Sequence, residues 1–274
     1  MPCSTFNAGV HERRKAKIVR GKATNMRKLA KYLSRKAHLD GFAMELIQNL
    51  RRAKRKFWGV DSAITESYFA EQRIRKLHIG CGGNILDDWL NADFFPHSDR
   101  ILRLDATRTF PFAKETFDLI FSEHMIEHVS YSNGLAMLSE CHRVLKINGK
   151  IRISTPNLQF LIDLYSDNKS ELQKQYIKWA TDSFIKNVSS YDDTFVINNF
   201  VRDWGHLFIY DEKTLRSSLE KAGFTNIHRC EINESLDESL RNLENEKRMP
   251  KGFLKLESVT LEGAKVADSY NELQ

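Results

Sequence analysis

No stretch of about 18 or more apolar residues occurs in this sequence, so no segment reads as a membrane-spanning helix. The first residues, Met1 to Val10, lack the apolar core of a secretory signal. Cysteine is scarce: Cys3, Cys81, Cys141 and Cys230 are widely spaced and form no Cys-x-x-Cys pair. That excludes a zinc ribbon and argues against a disulfide framework in so long a chain. The four are read as reduced thiols in a cytoplasmic protein. There is no Gly-Lys-Ser/Thr after a glycine turn, hence no P-loop. Internal repeats and low-complexity tracts are absent as well.

What is present suffices for a core. The 274 residues are 41% hydrophobic, with 17 Phe and 8 Tyr. They fit one large α/β domain with additions, or two smaller domains. Net charge is +6, unevenly distributed. Residues 11–56 carry 16 Lys/Arg against 3 Asp/Glu, a balance of +13, which leaves −7 for the remainder. This basic segment has few glycines and no proline. Its Leu29, Leu33, Phe42, Leu46 and Leu50 give a narrow helical stripe. It closes on Arg51-Arg52-Ala53-Lys54-Arg55-Lys56. Such a segment suits nucleic acid, anionic lipid or a phosphorylated substrate. Equally it suits a solvated helix docked on the body or on a second subunit, as in a homodimer. Residues 1–10 read as disordered.

A link with a short helix, Ile64 to Arg75, leads into an alternating region. Strands are expected at Lys76–Ile79, Trp89–Asp93, Ile101–Leu104, Phe117–Phe121 and Lys150–Ser154. A helix is expected from Gly134 to Leu145, capped by Gly149, and Pro156 stops the fifth strand. Residues 157–205 form an insertion: helical from Leu158 to Ile185, then polar and turn-rich from Asn187 to Asn199. A substrate lid is the expectation there. Asp211 caps a helix that ends at Gly223. Asn226–Ile232 reads as a strand, Ser235–Lys247 as helix or loop, and Phe253–Val266 as a long last strand. Two late strands without a long crossover imply an antiparallel hairpin.

The strands deliver polar residues at their C-terminal ends, where open parallel sheets bind ligands. Gly80-Cys81-Gly82-Gly83 follows the first strand, and a glycine turn lets backbone N–H groups approach a ligand. It is not a full G-x-G-x-x-G, since Ile85 stands where the last glycine belongs. Asp93 ends the second strand, where a carboxylate can accept both ribose hydroxyls. Asp105 ends the third, where an acceptor can take an exocyclic amine. Either can instead cap its own turn: Asp93 before Phe94-Phe95-Pro96, Asp105 before Ala106-Thr107.

The ordered strings LHIGCGG, WLNAD, LRLDA, FPF-x4-FDLIFSEHMIEHV, L-x-E-x-x-RVLK-x-x-GKIRISTP and HLFIYDEKTLRSSLEKAGF resemble class I S-adenosylmethionine-dependent methyltransferases, in a branch with a very short first helix. The resemblance spans about residues 74–266. It implies a Rossmann-like, mostly parallel seven-stranded sheet ending in an antiparallel hairpin; the basic, mainly helical extension over residues 1–73 lies outside it and is read from composition and spacing alone. It implies S-adenosylmethionine as cofactor. Gly80, Cys81 and Gly82 then line the methionine moiety, Asp93 binds the ribose and Asp105 the adenine. His78 and Ala106 count with these cofactor residues. Ser122, Glu123 and His124 lie beside the sulfonium and the acceptor. Two departures from the family pattern are Asn84, in place of a third turn glycine, and the near absence of a helix between Ile85 and Trp89. For the branch, a small molecule or saccharide hydroxyl is the expected acceptor, with RNA kept open by the basic segment; the alternative from another class is a non-catalytic, cofactor-binding scaffold protein.

A methyl sulfonium is already a strong electrophile, so the main task is alignment of a nucleophile. For a hydroxyl acceptor a general base helps. His124 and His206 are the candidates, with Asp203 placed to orient His206 and with Trp204 and Tyr210 as pocket walls. His124-Met125-Ile126-Glu127-His128 also matches the H-x-x-E-H zinc pattern. It starts at a strand end rather than inside a helix, and it explains only five residues. The methyltransferase reading takes precedence over a zinc peptidase.

Overall fold

A computed structural model describes residues 52–267. The chain divides at Val60/Asp61 into two units. Of the basic segment only residues 52–56 fall within the described range, and residues 52–57 are helical. The expected stripe from Leu29 to Leu50, and the disorder expected of residues 1–10, lie outside the described residues. No helix among the described residues is long and apolar enough to cross a membrane.

The second unit is built on a seven-stranded sheet. Its strands are β1 (Lys76–Ile79), β2 (Leu90–Asp93), β3 (Leu102–Arg103), β4 (Phe117–Glu123), β5 (Leu145–Pro156), β6 (Thr225–Cys230) and β7 (Ser258–Ala264). The order is β3-β2-β1-β4-β5-β7-β6. The first five strands pair in parallel, and β7 runs antiparallel to both β5 and β6. The Rossmann-like sheet with an antiparallel terminal hairpin is therefore as expected. Strand order reverses between β1 and β4, and a crevice opens there at the carboxyl ends.

One face of the sheet (Leu77, Ile79, Ile120, Ile151, Ile153) carries the main core. Covering it are α1 (Val60–Glu71), α2 (Tyr131–Val144) and α6 (Glu212–Lys221). Helix α2 starts at Ser130, whose hydroxyl accepts from the Asn133 N–H. Its buried positions are Gly134, Met137, Leu138, Cys141 and Val144. Asp211 caps α6 as expected, and Gly223 follows it at φ 97°.

On the opposite face Trp89, Leu119 and Phe121 pack with Leu240 and Leu243. No helix occurs between Ile85 and Trp89, so residues 231–248 reach this face directly. Arg152 fastens them. Its side chain is fully buried and its Nε donates to Glu244, its Nη1 to Glu262 and the Glu234 carbonyl, its Nη2 to Glu244 and the Glu231 carbonyl. All five guanidinium N–H groups are thereby used.

Three expectations are corrected. Gly149 does not cap α2: the chain passes at Leu145 straight into β5, because Leu145 is buried and pairs with Phe117. Gly149 lies inside the strand, where a Cβ would sit 2.8 Å from the Asp118 carbonyl oxygen. The insertion is not one helix plus a polar loop. It forms α3 (Leu158–Leu164), α4 (Glu171–Phe184) and α5 (Asp193–Arg202). A capping box at Ser170 and Gln173 restarts the chain as α4, and the Asp192 carboxylate caps α5. Phe160, Tyr176, Val196 and Phe200 give these helices an apolar cluster of their own, which outweighs the polar composition. Finally, Phe253–Glu257 is a short helix, α7, rather than strand. Phe253 turns into the insertion's cluster, and the strand begins only at Ser258.

Candidate active site

Strand β1 ends at Ile79 and the chain reverses. The N–H groups of Gly80 and Cys81 both donate to the Ala92 carbonyl, at 2.9 and 3.0 Å, which ties the turn to β2. Gly80 has φ 73° and Gly82 φ 47°, in the left-handed region that side chains resist. A Cβ on Gly80 would lie 2.3 Å from Met125 Cγ, whereas one on Gly82 would meet nothing within 4 Å. We expect Gly80→Ala to cost roughly 1–3 kcal/mol in backbone strain and overpacking. Thermal unfolding checks this: a melting temperature equal to the parent's would show that Met125 gives way freely.

In front of this turn lies a cavity of about 580 Å³, lined by Gly80, Gly82, Asp93, Phe94, Asp105 and Ala106 on one side and by His124, Met125 and His128 on the other. Its size is that of small-molecule and cofactor sites, roughly 300–1,000 Å³. Asp93 Oδ2 accepts from the Gly82 N–H at 2.9 Å and Oδ1 from the Phe95 N–H at 2.8 Å. Asp105 Oδ1 accepts from the Thr107 N–H and hydroxyl, at 3.0 and 2.7 Å. Both carboxylates thus cap their own turns and also face the cavity. A carboxylate offers about four lone-pair sites, so capping does not exhaust either one.

His78, Cys81, Ser122 and Glu123 are not among the residues lining this cavity. His78 donates through Nδ1 to Asn91 Oδ1, its ring packs on Phe121 across the sheet, and burial draws its pKa down to about 4. Cys81 is buried, and burial pushes its thiol up to about 12. Ser122 is buried beside the core face. Glu123, one residue on, points to the opposite face, where it accepts from Asn84 Nδ2 and the Asn245 N–H. Alternation along β4 sends these two side chains away from the crevice, and His124 is the residue that reaches it.

His124 sits at φ 47° where the strand breaks. Its ring also borders a second cavity, of about 240 Å³, and so does His128. Glu127, His206, Arg248 and Glu257 supply the polar wall of this second space, and Tyr176, Trp179, Phe184, Phe200 and Trp204 its aromatic wall. His124 Nε2 is 2.8 Å from the Ser258 hydroxyl, and its Nδ1 is 3.6 Å from Glu127 Oε1. Burial, then Arg248, His206 and His128, hold its pKa well below the ordinary histidine value. His206 is also held low, chiefly by burial. Its Nδ1 is 2.6 Å from the Phe200 carbonyl, so Nδ1 carries the proton and Nε2 is free to accept. Burial pushes Glu127 up to about 8 and Glu257 up to about 7.

Asp203 does not orient His206. Its carboxylate is taken by the Asn199 amide, and the Phe200 carbonyl does the orienting. Trp204 lines the second cavity as expected, but Tyr210 is fully buried in the main core. Sequence reasoning missed Arg248 and Glu257, which enter from a 3-10 turn and a short helix more than a hundred residues beyond His124. Glu127 and His128 were visible in the H-x-x-E-H pattern, but as part of a different donor set.

Residues 41–153 match the model of a methyltransferase domain. The match is shorter than half of the chain, yet it contains the glycine turn, Asp93, Asp105 and His124–His128. None of the curated proteins compared matches this chain. Among solved structures, a possible exported protein from Bordetella parapertussis aligns over 75% of this chain and 68% of its own, at 15% identity and a TM-score of 0.45. A SAM dependent methyltransferase from Archaeoglobus fulgidus aligns over 80% of this chain and 94% of its own, at 17% identity and a TM-score of 0.43.

Proposed function

We propose that this protein is an S-adenosylmethionine-dependent methyltransferase whose acceptor is a hydroxyl on a small molecule or a saccharide unit. The observation that carries this reading is the meeting of the two cavities at His124 and His128. One cavity has a glycine turn and two carboxylates, the donor set for a nucleoside-like cofactor. The other is aromatic-walled and holds titratable groups. The matched methyltransferase domain supports the same assignment.

In this reading Asp93 takes the ribose hydroxyls, Asp105 the adenine amine, and the Gly80–Gly82 turn the methionine end. The acceptor oxygen enters from the second cavity and attacks the methyl carbon as the sulfur–carbon bond breaks. The products are a methyl ether, a thioether and a proton. Alignment of this kind contributes up to about 7–11 kcal/mol, and proton removal by a base such as His124 adds roughly 10²–10⁴-fold. At about 240 Å³ the second cavity holds one ring-sized group rather than a large molecule. Stacking on Trp179 and Trp204 suits the apolar face of a sugar ring.

Titration calorimetry with S-adenosylhomocysteine tests the cofactor half. We expect one site per chain, and absence of binding would overturn the assignment. A methyl-transfer assay with labelled S-adenosylmethionine, comparing hydroxylated small molecules, oligosaccharides and RNA, tests the acceptor half. Transfer to RNA alone, with a salt dependence that vanishes on deletion of residues 1–56, would replace the acceptor class.

A further inference from the structure

We propose that Glu127, His128 and His206 bind a divalent transition-metal ion of the zinc type, open to the second cavity. The donor atoms of these three residues all lie within 4.8 Å of one another. Glu127 Oε1 and His128 Nε2 are 3.9 Å apart. Two ligands of one tetrahedral zinc, each about 2.0–2.2 Å from the ion, stand roughly 3.4 Å apart. This pair therefore closes with a shift of about half an ångström, and the set as a whole, within 4.8 Å, with side-chain movements of up to about 1.4 Å.

A second, independent observation points to a cation. Glu127 borders this cavity and is 0% exposed, and its Oε1 has no hydrogen-bond partner, its nearest nitrogens being His124 Nδ1 at 3.6 Å and His128 Nε2 at 3.9 Å. Its other oxygen accepts from the Thr155 hydroxyl at 3.0 Å, which fixes the carboxylate's orientation. A buried carboxylate oxygen without a donor is costly unless something neutralises it. The surrounding contacts have the form that supports metal ligands. His206 donates Nδ1–H to the Phe200 carbonyl and keeps Nε2 for the ion. Ligating histidines are held through their second nitrogen in this way. His128 Nδ1 lies beside Gly205 while its Nε2 is turned to Glu127.

The set differs from the one H-x-x-E-H suggests. That pattern needs His124 and His128 one helical turn apart, but Ile126–His128 is a 3-10 helix and His124 sits on a left-handed turn with its Nε2 on Ser258. His206, delivered by the end of the insertion, takes the place of the first histidine. The Arg248 guanidinium lies 3.7 Å from Glu123, so its charge is partly balanced away from the ion. Two imidazoles and one carboxylate favour zinc, iron, cobalt or nickel over magnesium or calcium. Three protein ligands leave a coordination position free, and His128, 40% exposed, leaves the site accessible.

The metal assignment stands without the methyltransferase reading; its use in catalysis rests on it. An acceptor hydroxyl bound to the ion gives up its proton to solvent more readily. Its oxygen then displaces the thioether from the methyl carbon. In that scheme His206 holds the ion and does not serve as base.

The test uses the full chain, stripped with a chelator and titrated with Co2+ and then Zn2+. We expect one Co2+ per chain in a four- or five-coordinate site, seen in its visible absorption and displaced by Zn2+. Glu127→Gln, His128→Ala and His206→Ala should each weaken binding by roughly a hundredfold or more, while Cys230→Ser, at the other His/Cys/Glu cluster, should not. The exposed His128 can be replaced without disturbing the core, so this variant remains informative if the buried one does not fold. Absence of a low-coordinate Co2+ spectrum, or one that survives both histidine substitutions, overturns the proposal. S-adenosylhomocysteine binding, followed in parallel, separates the two failures: its loss with Co2+ binding intact would strike the cofactor reading alone.

Discussion

Arg152→Ala is expected to remove about 3–5 kcal/mol of stability, the cost typical of breaking a buried ion pair from one side. The native side chain sits between Glu244 and Glu262, with ion-pair distances of 2.6 Å to each. Both carboxylates are buried, so deletion leaves two uncompensated charges in the interior. It also frees the Glu231 and Glu234 carbonyls that hold residues 231–248 against the sheet. A domain of this size is stable by only about 5–15 kcal/mol, so the loss is a large share of the whole. Urea denaturation of parent and variant measures it. Arg152→Lys should recover little, because an ammonium cannot reproduce five donors in a plane. A change below about 1 kcal/mol for the alanine variant would show that this network does not hold the segment.

Asp93→Ala is expected to weaken S-adenosylhomocysteine binding by more than a hundredfold. Hydrogen bonds to a charged group contribute about 1.5–3 kcal/mol each, and two ribose hydroxyls converge on this carboxylate in the proposed mode. Part of the loss comes through the turn, since Asp93 also holds the Gly82 and Phe95 N–H groups. A 2′-deoxy analogue separates the two contributions. The parent should bind it more weakly than the full nucleoside, and the variant should no longer tell them apart. Calorimetry with both ligands reads this directly. Equal affinity of parent and variant for the full ligand would remove Asp93 from the site.

Much of the sheet was legible in the sequence because strand ends announce themselves locally. A short strand-like run, Lys76–Ile79, a glycine turn, then Asp93 and Asp105 at the ends of the next two strands are short-range signals. The larger cavity assembles from these same positions. Expectations failed where long-range packing decided. Phe253–Val266 carries an apolar pattern of strand type, yet Phe253 is drawn into the cluster of Phe160 and Tyr176, and the first turn becomes helix. Asn187–Asn199 is polar, yet Val196 and Phe200 anchor a helix within it. Ser122 and Glu123, at the end of β4, are a local matter: alternation sends them to opposite faces of the sheet, and neither lines the first cavity.

The chain's own order of residues determined the parallel sheet, its antiparallel hairpin and the placing of Gly80, Gly82, Asp93 and Asp105, since each depends on neighbours a few positions away. Tertiary structure alone decided which titratable groups share the second cavity. Glu127 and His128 meet His206 only because the insertion folds back on its aromatic cluster. Arg248 and Glu257 join them only because the segment pinned by Arg152 leads into α7 beside β5. No spacing along the chain encodes those encounters, because they depend on how separate helices pack.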